Sequence, residues 1–404
     1  MSQILLAGAS VTDITPPFEV GLLTSSVRGE YKPFESMRTP LKARVLVLKS
    51  GAEVVAIAAL DLLALSDTSV GGWNAFKEGI AGSVKAGKII LCCTHTHNAP
   101  ESGAITDLYL TDAFKNWLKD VQRKLKLAIE QALNAAVPCS VSIASEVLDG
   151  FSLQRRIKTP DGIIMSDSIQ PIREDLMERE PVDRRVKSLK FTSDQGVVIA
   201  TLVQAICHPV HEMCMPHVSA EFPGELCNAL DETGLNGISL FLNGAAGDTN
   251  PPTVSMGPES SKKHGLAMAE IVEEQRYAEL NVSSFTFQQR EIQLSIRPGS
   301  GITNPSDALA RINILTFGDL PIVFLPGEIF VETALEIERN AGTEQAMIVG
   351  FSENSIGYVP TETAFEEGGY ETGPGRWSYV ERVAERRILN ETMRLIGTDL
   401  AKPN

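Results

Sequence analysis

"VVIATLVQAICHPVHEMCMPH", Val197 to His217, starts as an apolar, β-branched run and ends with three histidines and two cysteines. The first ten residues have the composition of a buried strand. Pro209 stops regular pairing, so His208 is expected at a strand end. "KIILCCTHTHNAP", Lys88 to Pro100, repeats the arrangement with a strand that ends near Cys93. His95 and His97 are two apart, so in extended backbone both project to one face. Five of the six histidines lie in these two segments, which puts metal chemistry first among the functional readings. A closed zinc knot would use short, repeated cysteine spacings. Cys207 and Cys214 have no second cysteine pair after them, and strand alternation points Cys207 away from His208. A site shared between His208 and the 95/97 pair is therefore expected. His211, Cys214 and His217 read as loop or pocket-wall residues.

Working outward, further strand-like runs are "ARVLVL", "EVVAIAAL", "ISLFL", "PIVFL" and "AMIVGF". The periodicity predicts a helix from Asp112 to Ala136, where Phe114, Trp117, Leu118, Val121, Leu125, Ile129 and Leu133 recur at helical spacing. Other helices are predicted near Pro223–Glu232, Ser260–Glu279, Glu328–Asn340 and Tyr379–Ile396. Strands interleaved with helices favour an α/β fold of mixed β-sheets covered by helices. With no repeat or low-complexity linker, one large domain over 1–404 is expected. The charged, proline-containing stretch from Thr159 to Arg185 reads as a long loop or flap.

The formal charge of −15 disfavours nucleic acid and anionic membrane surfaces, both of which need a basic face. No run has the apolar length of a membrane span. Six cysteines in 404 residues are too few for a disulfide scaffold, and adjacent Cys92 and Cys93 suit a buried strand. With no signal-peptide pattern at the start, a reduced, cytoplasmic chain is the expectation. Oligomeric state is not legible.

A histidine-rich zinc site usually takes a carboxylate as well. "PIVFLPGEIF" offers Glu328, read as opening a helix after the Pro326-Gly327 turn; an acid favoured by the helix dipole is the bland alternative. "FLNGAAGDTNPP", Phe241 to Pro252, has little side-chain bulk and could cradle an oxyanion with its backbone amides. It lacks the Lys-Ser/Thr ending of a phosphate loop, which argues against nucleotides. "GYVPTETAFEEGGYETGPGRW" carries Tyr358 and Tyr370 in a glycine-rich loop, or a surface Ω-loop.

Taken in order, "AGASVTDITPP", Arg28-Gly29, "THTHNAP", "CHPV", "SAEFPGE", "NGAAGDTNPP", "LPGE" and "GYVPTETAFEEGGYE" resemble the catalytic domain of the neutral/alkaline, non-lysosomal ceramidases. The family's C-terminal β-sandwich domain is not expected here. The resemblance implies a Zn2+-dependent hydrolase of N-acyl amides, in lipid metabolism, with water activated by the metal as nucleophile. It implies His95, His208, Glu328 and Tyr358 as metal ligands. It assigns His97, Tyr370 and Arg155, with Arg156 as the neighbouring choice, to polarising the scissile carbonyl. The family's serine in the "GDTNPP" loop is Asn250 here, neither nucleophile nor base but able to hydrogen-bond a substrate. A small acyl amide or ester is the expected substrate. A zinc esterase or lactonase, and a metal-binding member without catalysis, are the alternatives. Imidazole and carboxylate ligands suit Zn2+, although iron or manganese use the same groups.

Overall fold

The structure is a computed structural model that describes residues 4–23, 31–169 and 171–397. Arg28-Gly29 lies outside the described residues. Two sheets stack face to face. In the larger, the strands run in the order Ile238–Asn243, Val198–Ala205, Arg185–Ser193, Val137–Val147, Leu5–Asp13, Lys42–Ser50, Glu53–Leu60 and Ile89–Cys93, and Ala278–Leu280 also pairs with Val137–Val147. The smaller has the order Thr286–Gln293, Leu309–Phe317, Leu320–Phe324 and Met347–Val349. Both are mixed, with parallel pairs at Val198–Ala205/Ile238–Asn243, Glu53–Leu60/Ile89–Cys93 and Leu320–Phe324/Met347–Val349.

Side-chain alternation builds the layers. Leu46, Leu48, Val55, Ile57, Leu202 and Leu240 face inward and meet Leu315, Phe317, Ile322 and Phe324 of the second sheet. Val45, Val47, Ala56 and Ala58, one residue out of phase, face the other way against Trp73, Phe114, Trp117, Val121 and Leu125. Val203, Ala205 and Phe241 pack on the helices Glu221–Glu232 and Pro258–Glu274. Ile312, Ile314, Val323 and Ile348 pack on Val331–Ala341 and Ala384–Ile396. The result is a four-layer helix–sheet–sheet–helix arrangement, an α/β fold with covered mixed sheets. At ~0.8 kcal/mol per buried methylene, the apolar strands hold the layers together.

The predicted helix at 112–136 is present as Asp112–Asn134 and is capped by Thr111, whose hydroxyl accepts from Phe114 N. Three expectations change. Glu328 does not open a helix: Gly327 has φ 75°, and Glu328–Ile329 then pairs in parallel with Tyr358–Val359 before the helix begins at Val331. The helix expected to reach Glu279 stops at Glu274, because Gln275 turns extended and Ala278–Leu280 joins the sheet. Tyr379 precedes its expected helix, held by its hydroxyl on the carbonyls of Asp307 and Ser355, and that helix starts at Ala384. The stretch from Thr159 to Arg185 is not featureless either. It contains the hairpin strand Gly162–Met165, paired with Arg156–Thr159, and a short helix at Glu174–Met177. Among the described residues no helix is long and apolar enough to cross a membrane.

Candidate metal centre

The parallel pairs align the C-terminal ends of their strands, the usual position for a site in an α/β sheet. His95 follows Ile89–Cys93 by two residues, His208 follows Val198–Ala205 by three, and Glu328 follows Leu320–Phe324 by four. Asn243, at the end of the edge strand Ile238–Asn243, ties two of these loops together. Its side-chain amide donates to the carbonyls of Thr94 (3.1 Å) and Cys207 (3.0 Å).

Each histidine is oriented from behind. His95 Nδ1 lies 2.8 Å from the carbonyl of Leu63, and His208 Nδ1 lies 2.6 Å from that of Ala246. Those bonds place the proton on Nδ1 and leave the Nε2 lone pairs facing forward, the outer-shell arrangement of metal-binding histidines. His95 also has φ 70°, sparsely populated for a non-glycine residue, and its ring stacks on Phe351 at 4.1 Å.

The two Nε2 atoms face each other at 3.2 Å. Glu328 Oε2 is 3.5 Å from His95 Nε2 and 3.3 Å from His208 Nε2. Tyr358 Oη is 3.5 Å from His208 Nε2. Burial, then the Arg155 guanidinium, pushes the His208 pKa from 6.5 down to about 4, so that ring is neutral. Burial pushes the Tyr358 phenol well above 10.

His97 belongs to the same cluster. One ligand atom each from His95, His97 and His208 lies within 4.8 Å of the others, and all three are buried. Among the described residues, His97 Nε2 has no hydrogen-bond partner. Burial, then the neighbouring His95 and His208, hold its pKa well below 6.5, so it is neutral.

Arg155 and Arg156 point in different directions, and only Arg155 lines the cavity described below. Arg155 Nη2 donates to Tyr358 Oη at 2.9 Å, and its Nη1 is 3.4 Å from Asn250 Oδ1. Arg156 turns the other way, donating to the carbonyl of Gly368 (2.7 Å). Glu371 pairs with both, at 2.8 Å to Arg155 Nε and 2.5 Å to Arg156 Nη1. Sequence reading missed Glu371, although it directly follows Tyr370. Asp248 was missed too: it accepts from Gln154 and Val331 N, and its carbonyl accepts from Arg155 N. Burial raises its pKa to about 6. Nothing in an acid after "NGAAG" marks it as a brace.

Four of the amides in "FLNGAAGDTNPP", the loop expected to cradle an oxyanion, are engaged within the protein. The amides of Gly244, Ala246, Gly247 and Thr249 are used on Ala205, Gly244, Ile329 and Ala246. Glycine is needed for packing instead: a Cβ at Gly247 would lie 2.5 Å from the carbonyl oxygen of Glu328. The flap expected between Thr159 and Arg185 contributes Met165 and Asp167 to the cavity wall.

His95, His97, Arg155, His208, Asn250, Glu328, Tyr358 and Tyr370 line one cavity of about 140 Å³, with Leu63, Ile105, Val210, Met213, Val254 and Trp377 as its apolar and aromatic wall. A wider open groove of about 990 Å³, between Arg185 and the helices Val331–Ala341 and Ala384–Ile396, shares none of these residues. The smaller cavity holds the histidine–carboxylate cluster. The remaining histidines stand apart. His211 Nε2 meets His264 Nδ1 at 3.0 Å, and His217 pairs with Glu212 at 2.6 Å. Cys214 is exposed and Cys207 is buried in the strand–helix core.

An α/β sandwich with a buried histidine–carboxylate cluster at its strand ends is the class that fold and site define. Solved structures similar to the whole chain include ceramidases. One is the neutral ceramidase from Pseudomonas aeruginosa, with a TM-score of 0.74, 16% identity, and 100% of this chain and 77% of that one covered. Another is a ceramidase complexed with C2, with a TM-score of 0.75 at 16% identity and the same coverage. The chain therefore has the neutral ceramidase fold. No protein-family model and no curated protein matches it.

Proposed function

We propose that this chain is a metal-dependent hydrolase of a small acyl amide, with His95, His208, Glu328 and Tyr358 as the ligands of Zn2+. The crowding of their four atoms carries the reading. Both imidazoles present lone pairs, because their protons are committed to Leu63 and Ala246. Glu328 Oε2, which has no hydrogen-bond partner among the described residues, lies at the same gap. Mutually facing acceptors repel unless a cation lies between them. Their separations of 3.2–3.5 Å match the edges of a tetrahedron with metal–ligand distances of about 2.0–2.1 Å, which are about 3.3–3.4 Å. Two histidines, one carboxylate and one phenol suit Zn2+. His97 has the more distant place in the cluster and is left for substrate.

When bound, Zn2+ supplies Lewis acidity and lowers the pKa of a coordinated water from about 15.7 toward about 7. The chain's own groups do the rest. His97 Nε2 and Tyr370 line the side where a carbonyl would lie. Arg155 brings a fixed positive charge there, its orientation set by Glu371 and Tyr358. Such preorganised donors stabilise the negative charge that develops on the carbonyl oxygen. Asn250 accepts from Arg155 and offers an amide to the substrate, with no nucleophile in that position.

The resemblance points to amides, and the ceramidase neighbours support that reading. The cavity is small, about 140 Å³, which favours a short acyl substrate over a long-chain ceramide. Metal analysis of the purified protein, with a panel of short N-acyl amides, acyl esters and ceramide, tests this. Near-stoichiometric zinc and turnover of the short amides are expected. Preferential ester cleavage would make the chain an esterase, and zinc without turnover would make it a binder. Absence of metal, with no response to added Zn2+, would overturn the reading.

A further inference from the structure

Three residues lining the cavity carry a buried polar atom without a hydrogen-bond partner among the described residues: His97 Nε2, Glu328 Oε2 and Asp167 Oδ1. The proposed chemistry uses the first two and leaves the third without a role. The Asp167 side chain is half-buried, with its Oδ1 shielded from solvent inside the cavity, and a shielded carboxylate oxygen without a partner is costly unless a ligand supplies one.

Asp167 is placed on a built element. It lies in the turn Ser166–Ser168, directly after the hairpin strand Gly162–Met165. Ser166 N donates to the carbonyl of Arg155 at 2.8 Å, so the turn is fastened to the residue that holds the catalytic guanidinium. Arg155 does not neutralise Asp167. Its Nε is taken by Glu371 and its Nη2 by Tyr358, and Nη1 faces Asn250 and His208. Asp167 is also outside the ligand cluster. The same cavity has an aromatic wall. Tyr370 stacks on Trp377, with centroids 5.4 Å apart and 4° between planes, and meets Tyr358 edge to face at 5.7 Å. A carboxylate and aromatic faces lining one cavity are a combination that recognises an ammonium group.

We propose that Asp167 and the Tyr370–Trp377 wall select substrates with a protonated amine near the scissile bond, so that the substrate class is short N-acyl derivatives of diamines or amino-bearing amines. The proposal rests on reading this cavity as the substrate site. The acyl carbonyl faces His97 and Arg155, and the ammonium group completes the hydrogen bonding of Asp167. The cavity's size restricts the spacer between them to a few atoms.

The test uses three ligands with equal numbers of heavy atoms: N-acetylethylenediamine, which is cationic, N-(2-hydroxyethyl)acetamide, and N-propylacetamide. Binding to the full chain is followed by ligand-observed NMR titration near pH 7. The cationic ligand should bind at least about 10-fold more tightly than N-propylacetamide, in keeping with a charge-assisted hydrogen bond. The hydroxyl analogue should fall between them. Asp167→Asn should reduce the cationic preference to about 2-fold or less, and Asp167→Glu should keep most of it. Equal binding of the three ligands by the wild type would overturn the proposal. A hydroxyl ligand that binds as well as the ammonium, or an unchanged preference in Asp167→Asn, would do the same. Metal content and turnover of N-propylacetamide are read in parallel. Zinc and turnover without ammonium preference sink this proposal alone. Asp167-dependent ammonium binding in a protein without zinc or turnover sinks the hydrolase reading alone.

Discussion

Two groups of histidines lie in this molecule, close in sequence and different in chemistry. His211 and His264 satisfy each other: their ring nitrogens meet at 3.0 Å, and Thr253 Oγ1 lies 2.8 Å from His211 Nδ1. Phe222 stacks on His264 at 4.1 Å. That pair is a filled, self-contained piece of core. At His95 and His208 the outer nitrogens are satisfied by backbone carbonyls, and the inner ones converge with a carboxylate and a phenol. Proximity of imidazoles alone does not make a site. What distinguishes the two is whether the inward lone pairs find a partner within the chain.

The sharpest way to break this comparison is to remove one acceptor from each group. Glu328→Gln should lower bound zinc from near one equivalent to below about 0.1. Activity on a short amide should fall at least about 10³-fold, since the variant loses both ligand charge and hydrolytic chemistry. His264→Ala should leave the zinc content unchanged and cost about 2–4 kcal/mol of stability in denaturant unfolding, as a cavity opens against Phe222 and Phe151. If His264→Ala loses its metal, the two groups are one functional unit.

Arg155→Met gives the next largest effect. The variant should retain zinc while kcat falls about 10²–10³-fold, the usual cost of losing a charge-stabilising donor. Steady-state kinetics with metal analysis would check it.

The filled pair should also respond to pH. Burial pushes the His211 pKa from 6.5 down to about 4. Between those values the unfolded chain binds the proton and the folded one does not. His211 therefore disfavours folding progressively as pH drops from about 6.5 toward about 4, by at most roughly 3 kcal/mol. Urea midpoints of the wild type and His211→Asn at pH 7 and pH 4.5 should show a steeper acid loss in the wild type. Equal losses would mean that His211 gains its proton without unfolding.

Asn250→Ser should have the smallest effect. If water is the nucleophile, restoring a hydroxyl at this position should alter kcat/KM by less than about 10-fold with zinc unchanged. A much larger gain would show that the serine route is open in this pocket.

Much of the frame was legible in the chain. Apolar β-branched runs such as "EVVAIAAL" are buried on both faces, and their pattern admits few other structures. Strands with a solvated face gave a weaker signal. Thr286–Gln293, "TFQQREIQ", has mostly exposed residues and reads as polar chain. Leu309–Phe317 holds Arg311 and Asn313 in its buried interior, against any apolar template. The helix boundary at Glu328 was misread because a two-residue pairing with Tyr358–Val359, some 30 positions away, has no local signature.

By itself, the sequence determined the most apolar strands and the main amphipathic helix, and that histidines cluster near strand ends, because periodicity and turn residues act over a few neighbours. Only the tertiary structure decided which histidines share a cavity, that Arg155 rather than Arg156 faces it, that glycines near Gly247 serve close packing, and that Asp167 has an atom with no partner. Those outcomes depend on distances between residues far apart in the chain. Such distances are set by how the layers stack, which no local stretch of residues encodes.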